Sequence, residues 1–184
     1  MKRMTLSTLV IFITIITASG QKLSLSTNFL EWANFATLNV EVGYGFTNKL
    51  SADLHIRYNP WQFHNEGKGY MQNRLQSYSV GVKYWPWYIY SGWFVGSSFQ
   101  YSQYNRGGIL SPLTREGDAV GVSLSGGYAY MINSRLNLLF GVSFWPGYEY
   151  YRLYSCPKCG DIIEESSALF FRLNEVMLQL TYIF

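Results

Sequence analysis

The sequence predicts an all-β protein: an eight-stranded antiparallel transmembrane β-barrel over residues 21–184, preceded by a cleaved signal peptide over residues 1–20. Three observations carry this. Apolar and polar residues alternate with a period of two through most of the chain, short connections alternate with long ones, and no segment after the N-terminal run keeps a helical period. Composition agrees. Of 184 residues, 48% are hydrophobic, 18% aromatic and only 14% charged, whereas soluble domains carry roughly 25% charge. Lys2 and Arg3 supply two of the 14 basic residues, which leaves 12 beyond residue 20 against 11 acidic ones, a net of +1. That balance excludes a strongly basic nucleic-acid binder and an acidic solvated chain.

Met1-Lys2-Arg3 is a short basic start, Leu6 to Ala18 an apolar run, and Ala18-Ser19-Gly20 a small-residue cleavage site, so the mature chain is expected to begin at Gln21. The apolar run is too short for a spanning helix, which needs roughly 20 residues. No Cys follows it, which argues against a lipoprotein.

Strands are expected near 22–30, 36–46, 50–59, 74–85, 93–103, 118–131, 136–150 and 168–184. The second and third show why. Leu38, Val40, Val42, Tyr44 and Phe46 alternate with Asn39, Glu41, Gly43 and Gly45. After Thr47-Asn48-Lys49, Leu50, Ala52, Leu54, Ile56 and Tyr58 alternate with Ser51, Asp53, His55 and Arg57. Two such runs about a tight turn make a hairpin. Connections near 47–49, 86–92 and 132–135 are short, while those near 60–73, 104–117 and 151–167 are long, polar and rich in Gly and Pro. Outer-membrane barrels have short periplasmic turns and longer extracellular loops, and an even strand count leaves both termini on the periplasmic side. Pro86-Trp87-Tyr88-Ile89-Tyr90 departs from the polar turn expected there.

Three features turn the apolar face toward lipid. Tyr44, Phe46, Tyr84, Trp93, Tyr130, Tyr182 and Phe184 collect at one predicted rim, and Tyr58, Trp61, Tyr101, Tyr148 and Tyr150 at the other, as interfacial aromatics do. The chain ends Leu178-Gln179-Leu180-Thr181-Tyr182-Ile183-Phe184, similar to the C-terminal signal read by the barrel-assembly machinery. The opposite face carries small residues such as Ser77, Ser79, Gly81, Gly121, Ser123 and Gly127, which let a narrow barrel close. That inner face also holds Glu41, Asp53, His55, Arg57, Lys83 and Glu175. Counting from the turn sets Glu41 opposite His55, and Asp53 and Lys83 lie at similar heights on adjacent strands. Charges in such a setting are paired or wet, so a lumenal charge network is expected. An eight-stranded barrel has little room inside, which favours a structural network over an ion path.

Cys156-Pro157-Lys158-Cys159-Gly160 is the one compact motif. A local disulfide, a pair of free thiols and a zinc shared between two copies are its readings, and an oxidising compartment favours the disulfide. A structural zinc needs four ligands, and the only two His, His55 and His64, lie far away in sequence, so neither metal nor cofactor is expected. Neither His has an acid and a nucleophile beside it, and Gly107-Gly108 precedes no helix. No enzyme is predicted, and an acyl-transferring or lipid-hydrolysing barrel finds no residue set to support it.

Ser26-Thr27-Asn28-Phe29-Leu30, Asn59-Pro60-Trp61-Gln62-Phe63, Lys83-Tyr84-Trp85, Gly92-Trp93-Phe94-Val95-Gly96, Gly127-Tyr128-Ala129-Tyr130 and the Cys-Pro-Lys-Cys-Gly loop follow in order. Together they resemble a family of Bacteroidetes outer-membrane proteins of unknown function, the DUF3575 type, akin to small OmpA/OmpX-type barrels. The resemblance implies an outer-membrane barrel, a loose association with fimbrial or surface assembly, and no catalytic residues. The expectation is a non-enzymatic structural or surface-loop interaction protein of the bacterial cell outer membrane, serving envelope integrity, adhesion or fimbriae. Its partners would be membrane lipid, the assembly machinery and an extracellular or fimbrial protein, with Trp61, Phe63, Tyr70 and Tyr104 as loop contacts. The alternative is a soluble periplasmic lipocalin-like barrel that binds a small apolar ligand.

Overall fold

Alternating residues pave one side of a strand with apolar groups and the other with polar ones, and sheet pairing then joins like sides. In the computed structural model, which describes residues 22–65, 69–109, 112–156 and 160–184, pairing makes nine antiparallel strands. They are β1 (Leu23–Asn28), β2 (Leu38–Gly45), β3 (Leu50–Asn59), β4 (Gln62–Asn65), β5 (Gly69–Tyr84), β6 (Gly92–Gly107), β7 (Thr114–Met131), β8 (Leu136–Tyr154) and β9 (Ile162–Ile183), with one short helix, α1 (Phe29–Ala33), after β1. The predicted signal peptide lies outside the described residues.

The strands pair in the order β3-β2-β1-β9-β8-β7-β6-β5-β4, and an additional β3–β5 pairing closes the sheet into a ring. Nine strands replace the expected eight because the third is interrupted. Pro60 has no N–H to give to a ladder, and Asn59 Oδ1 accepts from the Trp61 N–H at 3.0 Å, turning the chain. Pairing then resumes on the same neighbour: β3 runs along Leu75–Tyr84 of β5, and β4 along Gly69–Gln72. Much of the predicted loops is strand. β6 reaches Gly107, β7 begins at Thr114, β8 continues to Tyr154 and β9 begins at Ile162. These extensions carry polar residues on both faces, so hydrophobic alternation gave no sign of them, yet their backbone ladders continue, in register between β6 and β7 and with a shift at Leu153/Tyr154 between β8 and β9.

The short connections gather at one end. Phe46 and Thr47 N–H groups donate to Leu50 O, and Ile132 and Asn133 donate to Leu136 O. Thr47 and Asn133 side chains cap the same turns by accepting from the next backbone N–H groups. Both chain ends join them: Phe184 N–H donates to Leu23 O, and Ile183 N–H to Arg135 O. The anomalous segment after β5 is a plug. Trp85, Ile89 and Tyr90 fold inward onto Phe94, Ala129, Leu139, Met177 and Ile183. Tyr90 adopts a positive φ of 63° to do so, and its hydroxyl donates to Lys22 O. A second apolar cluster of Tyr104, Ala119 and Trp145, with Leu75 and Phe170 against it, lies toward the hairpin end.

Polarity is inverted relative to a water-soluble fold. Val80, Val82, Phe99, Leu124, Phe140 and Val142 face outward, with Val80 57% exposed and Phe99 55%. Gln100, Gln179, Asn137, Ser77, Ser102 and Ser143 face inward, each 1% exposed. The predicted aromatics of both rims, Tyr44, Tyr84, Trp93, Tyr130 and Tyr182 at one and Tyr58, Trp61, Tyr101, Tyr148 and Tyr150 at the other, are all exposed.

Small inward residues are steric requirements of this wall. A Cβ on Gly127 would run into the Phe140 carbonyl oxygen and come within 2.8 Å of the Phe94 ring. The carbonyl belongs to the neighbouring strand and cannot swing aside. Gly127→Val is expected to lower stability by about 1–3 kcal/mol, read as an earlier urea midpoint for loss of β-sheet circular dichroism in detergent; an unchanged midpoint would contradict the close packing.

Candidate functional site: the charged lumen

Strand alternation brings ionisable side chains from four walls into the ring. Glu41 projects from β2, Asp53, His55 and Arg57 from β3, Lys83 from β5 and Glu175 from β9, and all six are buried. Glu41 pairs in register with His55, as the count from the turn required. Lys83 Nζ lies 2.5 Å from Glu41 Oε1, so its carboxylate partner is Glu41, while Asp53 Oδ1 has no hydrogen-bond partner among the described residues. His55 Nδ1 is 3.8 Å from Glu175 Oε2, and Asn28 Nδ2 donates to Glu175 Oε1 at 2.6 Å.

Arg57 leads away from this group toward the hairpin end. Its guanidinium donates to Glu31 Oε1 at 3.0 Å, Ser77 Oγ at 3.2 Å and Asn174 Oδ1 at 3.0 Å. Asn174 and Gln100 exchange amide hydrogen bonds at 3.0 and 3.1 Å, and Asn174 also donates to Ser143 Oγ. Glu149 then gathers a second cluster. It accepts from Arg115 at 2.7 Å, Arg172 at 3.2 Å and the Tyr104 hydroxyl at 2.8 Å.

Several of these residues escaped the sequence reading, Arg115 and Gln100 among them. Glu31 reaches the interior because α1 turns across the ring after Asn28, whose side chain accepts from the Leu30 N–H as N-cap. Asn174 and Glu175 both point inward because the β8–β9 register shifts between Ser143 and Phe144, so adjacent residues share a side. The same shift turns Arg172 inward to face Trp145. The sequence does hold a trace of it, since the apolar phase changes from Leu169, Phe171 and Leu173 to Val176 and Leu178. Glu149 lay at the end of a predicted strand.

The predicted loop contacts divide. Trp61 and Phe63 are exposed, and Trp61 Nε1 donates to Ala36 O. The Tyr70 side chain lies outside the described residues. Tyr104 is corrected: it sits in β6, not in a loop, and is 6% exposed because β6 continues past residue 103 with its even positions inward. Cys156 is disulfide-bonded; Cys159, the only other cysteine, lies outside the described residues. Among the described residues, no three His, Cys, Asp or Glu side chains group as metal ligands.

A protein-family model described as "Protein of unknown function (DUF3575)" matches residues 6–184. The chain belongs to the DUF3575 family. No curated protein matches it. The match spans all nine described strands of this DUF3575 ring.

At the turn end a cavity among Glu41, Asp53, Lys83 and Trp85 measures about 10 Å³, about the room of one water. That half of the interior is therefore a packed, cross-linked filling. Removing one partner of a buried pair strands the other charge. Arg57→Leu is expected to cost about 3–5 kcal/mol, measured by urea unfolding, and Glu31→Gln in the same chain should recover part of it. Equal stability of Arg57→Leu and the parent would refute the network. Intact mass should rise by about 2 Da on reduction; no change would remove the disulfide.

Proposed function

We propose that this chain is a small outer-membrane β-barrel of the OmpA/OmpX type, from a Bacteroidetes envelope, that works as a rigid non-enzymatic scaffold. The observation that carries the reading is the inverted polarity. A wall with Val, Leu and Phe outside and Gln, Asn, Ser and paired charges inside is unfavourable in water, and hydrocarbon outside reverses the balance. No helix among the described residues is long and apolar enough to cross a membrane, so crossing falls to the strands.

Several features support the same assignment. Aromatic side chains stand exposed toward both ends of the wall, as in the interfacial girdles of membrane barrels. The tight turns and both described ends of the chain share one end, which would be periplasmic. The extended β4–β5, β6–β7 and β8–β9 hairpins share the other and would stand outside the cell. Rigid walls that present variable tips are a common way to carry binding surfaces. Exposed Trp61 and Phe63 on the first hairpin suit an extracellular or fimbrial protein partner, in adhesion, fimbrial support or envelope integrity. The plug around Trp85 and the cross-linked charges argue for structural duty over conduction. A soluble lipocalin-like carrier would line its interior with apolar groups, and the polar interior weighs against it.

Fractionation tests the assignment. The protein should sediment with outer membranes, require detergent for release, and migrate faster in unboiled than in boiled detergent gels. Recovery in the soluble periplasm without detergent would overturn it.

A further inference from the structure

The interior is electrically divided. Toward the turn end, Glu41, Asp53 and Glu175 outnumber Lys83. Toward the hairpin end, Arg57, Arg115 and Arg172 have Glu31 and Glu149 as partners, and Arg106 is added from β6 with no ion pair among the described residues.

A cavity of about 360 Å³ opens in that second half, within the usual size range of small-molecule sites, roughly 300–1,000 Å³. Arg57, Arg106 and Arg172 line it together with Asn73, Ser102 and Trp145, and its described lining includes no carboxylate. The like charges of Arg172 and Arg57 bear on Arg106, and Tyr104 and Glu149 act on it in the opposite sense. Three arginines thus border one space in which, among the described residues, no carboxylate takes part.

Two of the three cations are held in place beforehand, and Arg106 is more exposed beside them. Arg57 is fixed by Glu31, Ser77 and Asn174. Arg172 lies over the rings of Phe170 at 4.1 Å, Trp145 at 4.8 Å and Tyr104 at 5.6 Å, and Arg106 lies over Tyr104 at 5.7 Å. Fixed guanidinium forks suit the planar or tetrahedral oxygens of carboxylate and phosphate, and little freedom is left to lose on binding. Beside them, Asn34, Asn73 and Ser102 offer amide and hydroxyl groups to neutral hydroxyls. The site lies on the inner side of the wall, so its ligand arrives through water at the hairpin mouth.

We propose that this vestibule binds a small soluble hydroxylated oxyanion, of the sugar phosphate or uronate class, on Arg57, Arg106 and Arg172. The inference stands on the cavity itself and goes beyond the scaffold role.

The test is titration calorimetry on the full mature chain folded in a neutral detergent, with circular dichroism reporting the sheet separately. Glucose 6-phosphate and glucuronate should bind saturably, with inorganic phosphate weaker and glucose silent. Arg106→Gln should weaken glucose 6-phosphate about tenfold or more, the cost of one charge-assisted contact, and Arg106→Lys by less. Arg135→Gln, on an exposed turn at the opposite end, should bind as the parent does. No saturable binding of either anion, glucose binding as well as its phosphate, or an Arg106→Gln chain with parental affinity would each overturn the site. A short-chain phosphatidylglycerol that binds in place of the sugar phosphate would overturn the soluble source. None of these readouts depends on where the protein fractionates.

Discussion

The pairing of β3 with β5 is the contact on which the rest depends. Without it the sheet would be an open ribbon with two unsatisfied edges, and its polar face would be open to water. With it, every strand of the circuit has neighbours on both sides, and the polar face becomes an interior. Closure turns inward-facing Ser, Gln, Asn and charged residues from solvated groups into buried ones, each of which then needs a partner. Ser123 with Ser143 and Asn28 with Asn39 answer that demand between consecutive strands, and Ser26 with Thr181 answers it where the first strand meets the last.

The same constraint orders the interior into layers. A ring this narrow must be filled, and its filling alternates in kind. An aromatic plug closes the turn end, a polar belt around Arg57 and Asn174 crosses the middle, and a second apolar cluster supports Arg172 and Glu149 nearer the hairpins. Buried ion pairs contribute little net stability against an apolar filling, because desolvation offsets attraction. What they supply here is connection. Arg57 joins α1, β5 and β9, and Glu149 joins β6, β7 and β9. Walls tied through their centre resist shear, which suits a support for long hairpins.

Most of the fold was legible locally. Alternation identifies which side of each strand faces inward, and Thr47-Asn48-Lys49 sets Glu41 against His55 without reference to anything distant. Glycines opposite one another, such as Gly127 and Gly141, mark where walls approach. The charged belt was legible to the same extent, because a residue's side follows from parity. Its pairing was not. Lys83 takes Glu41 instead of Asp53, since the choice depends on how side chains cross the ring and not on height along neighbouring strands.

The amino-acid order alone thus determined the β class, the inward and outward faces and the turn end, all of which rest on interactions among residues a few positions apart. The bulge that turns Asn174 and Arg172 inward left only a change of apolar phase in the sequence; tertiary structure alone decided the folding of Trp85 to Tyr90 into a plug, the entry of Glu31 over the ring and the burial of Tyr104. Each of these follows from filling a closed space of given width. That width exists only after strands far apart in the chain have joined, so no local period records it.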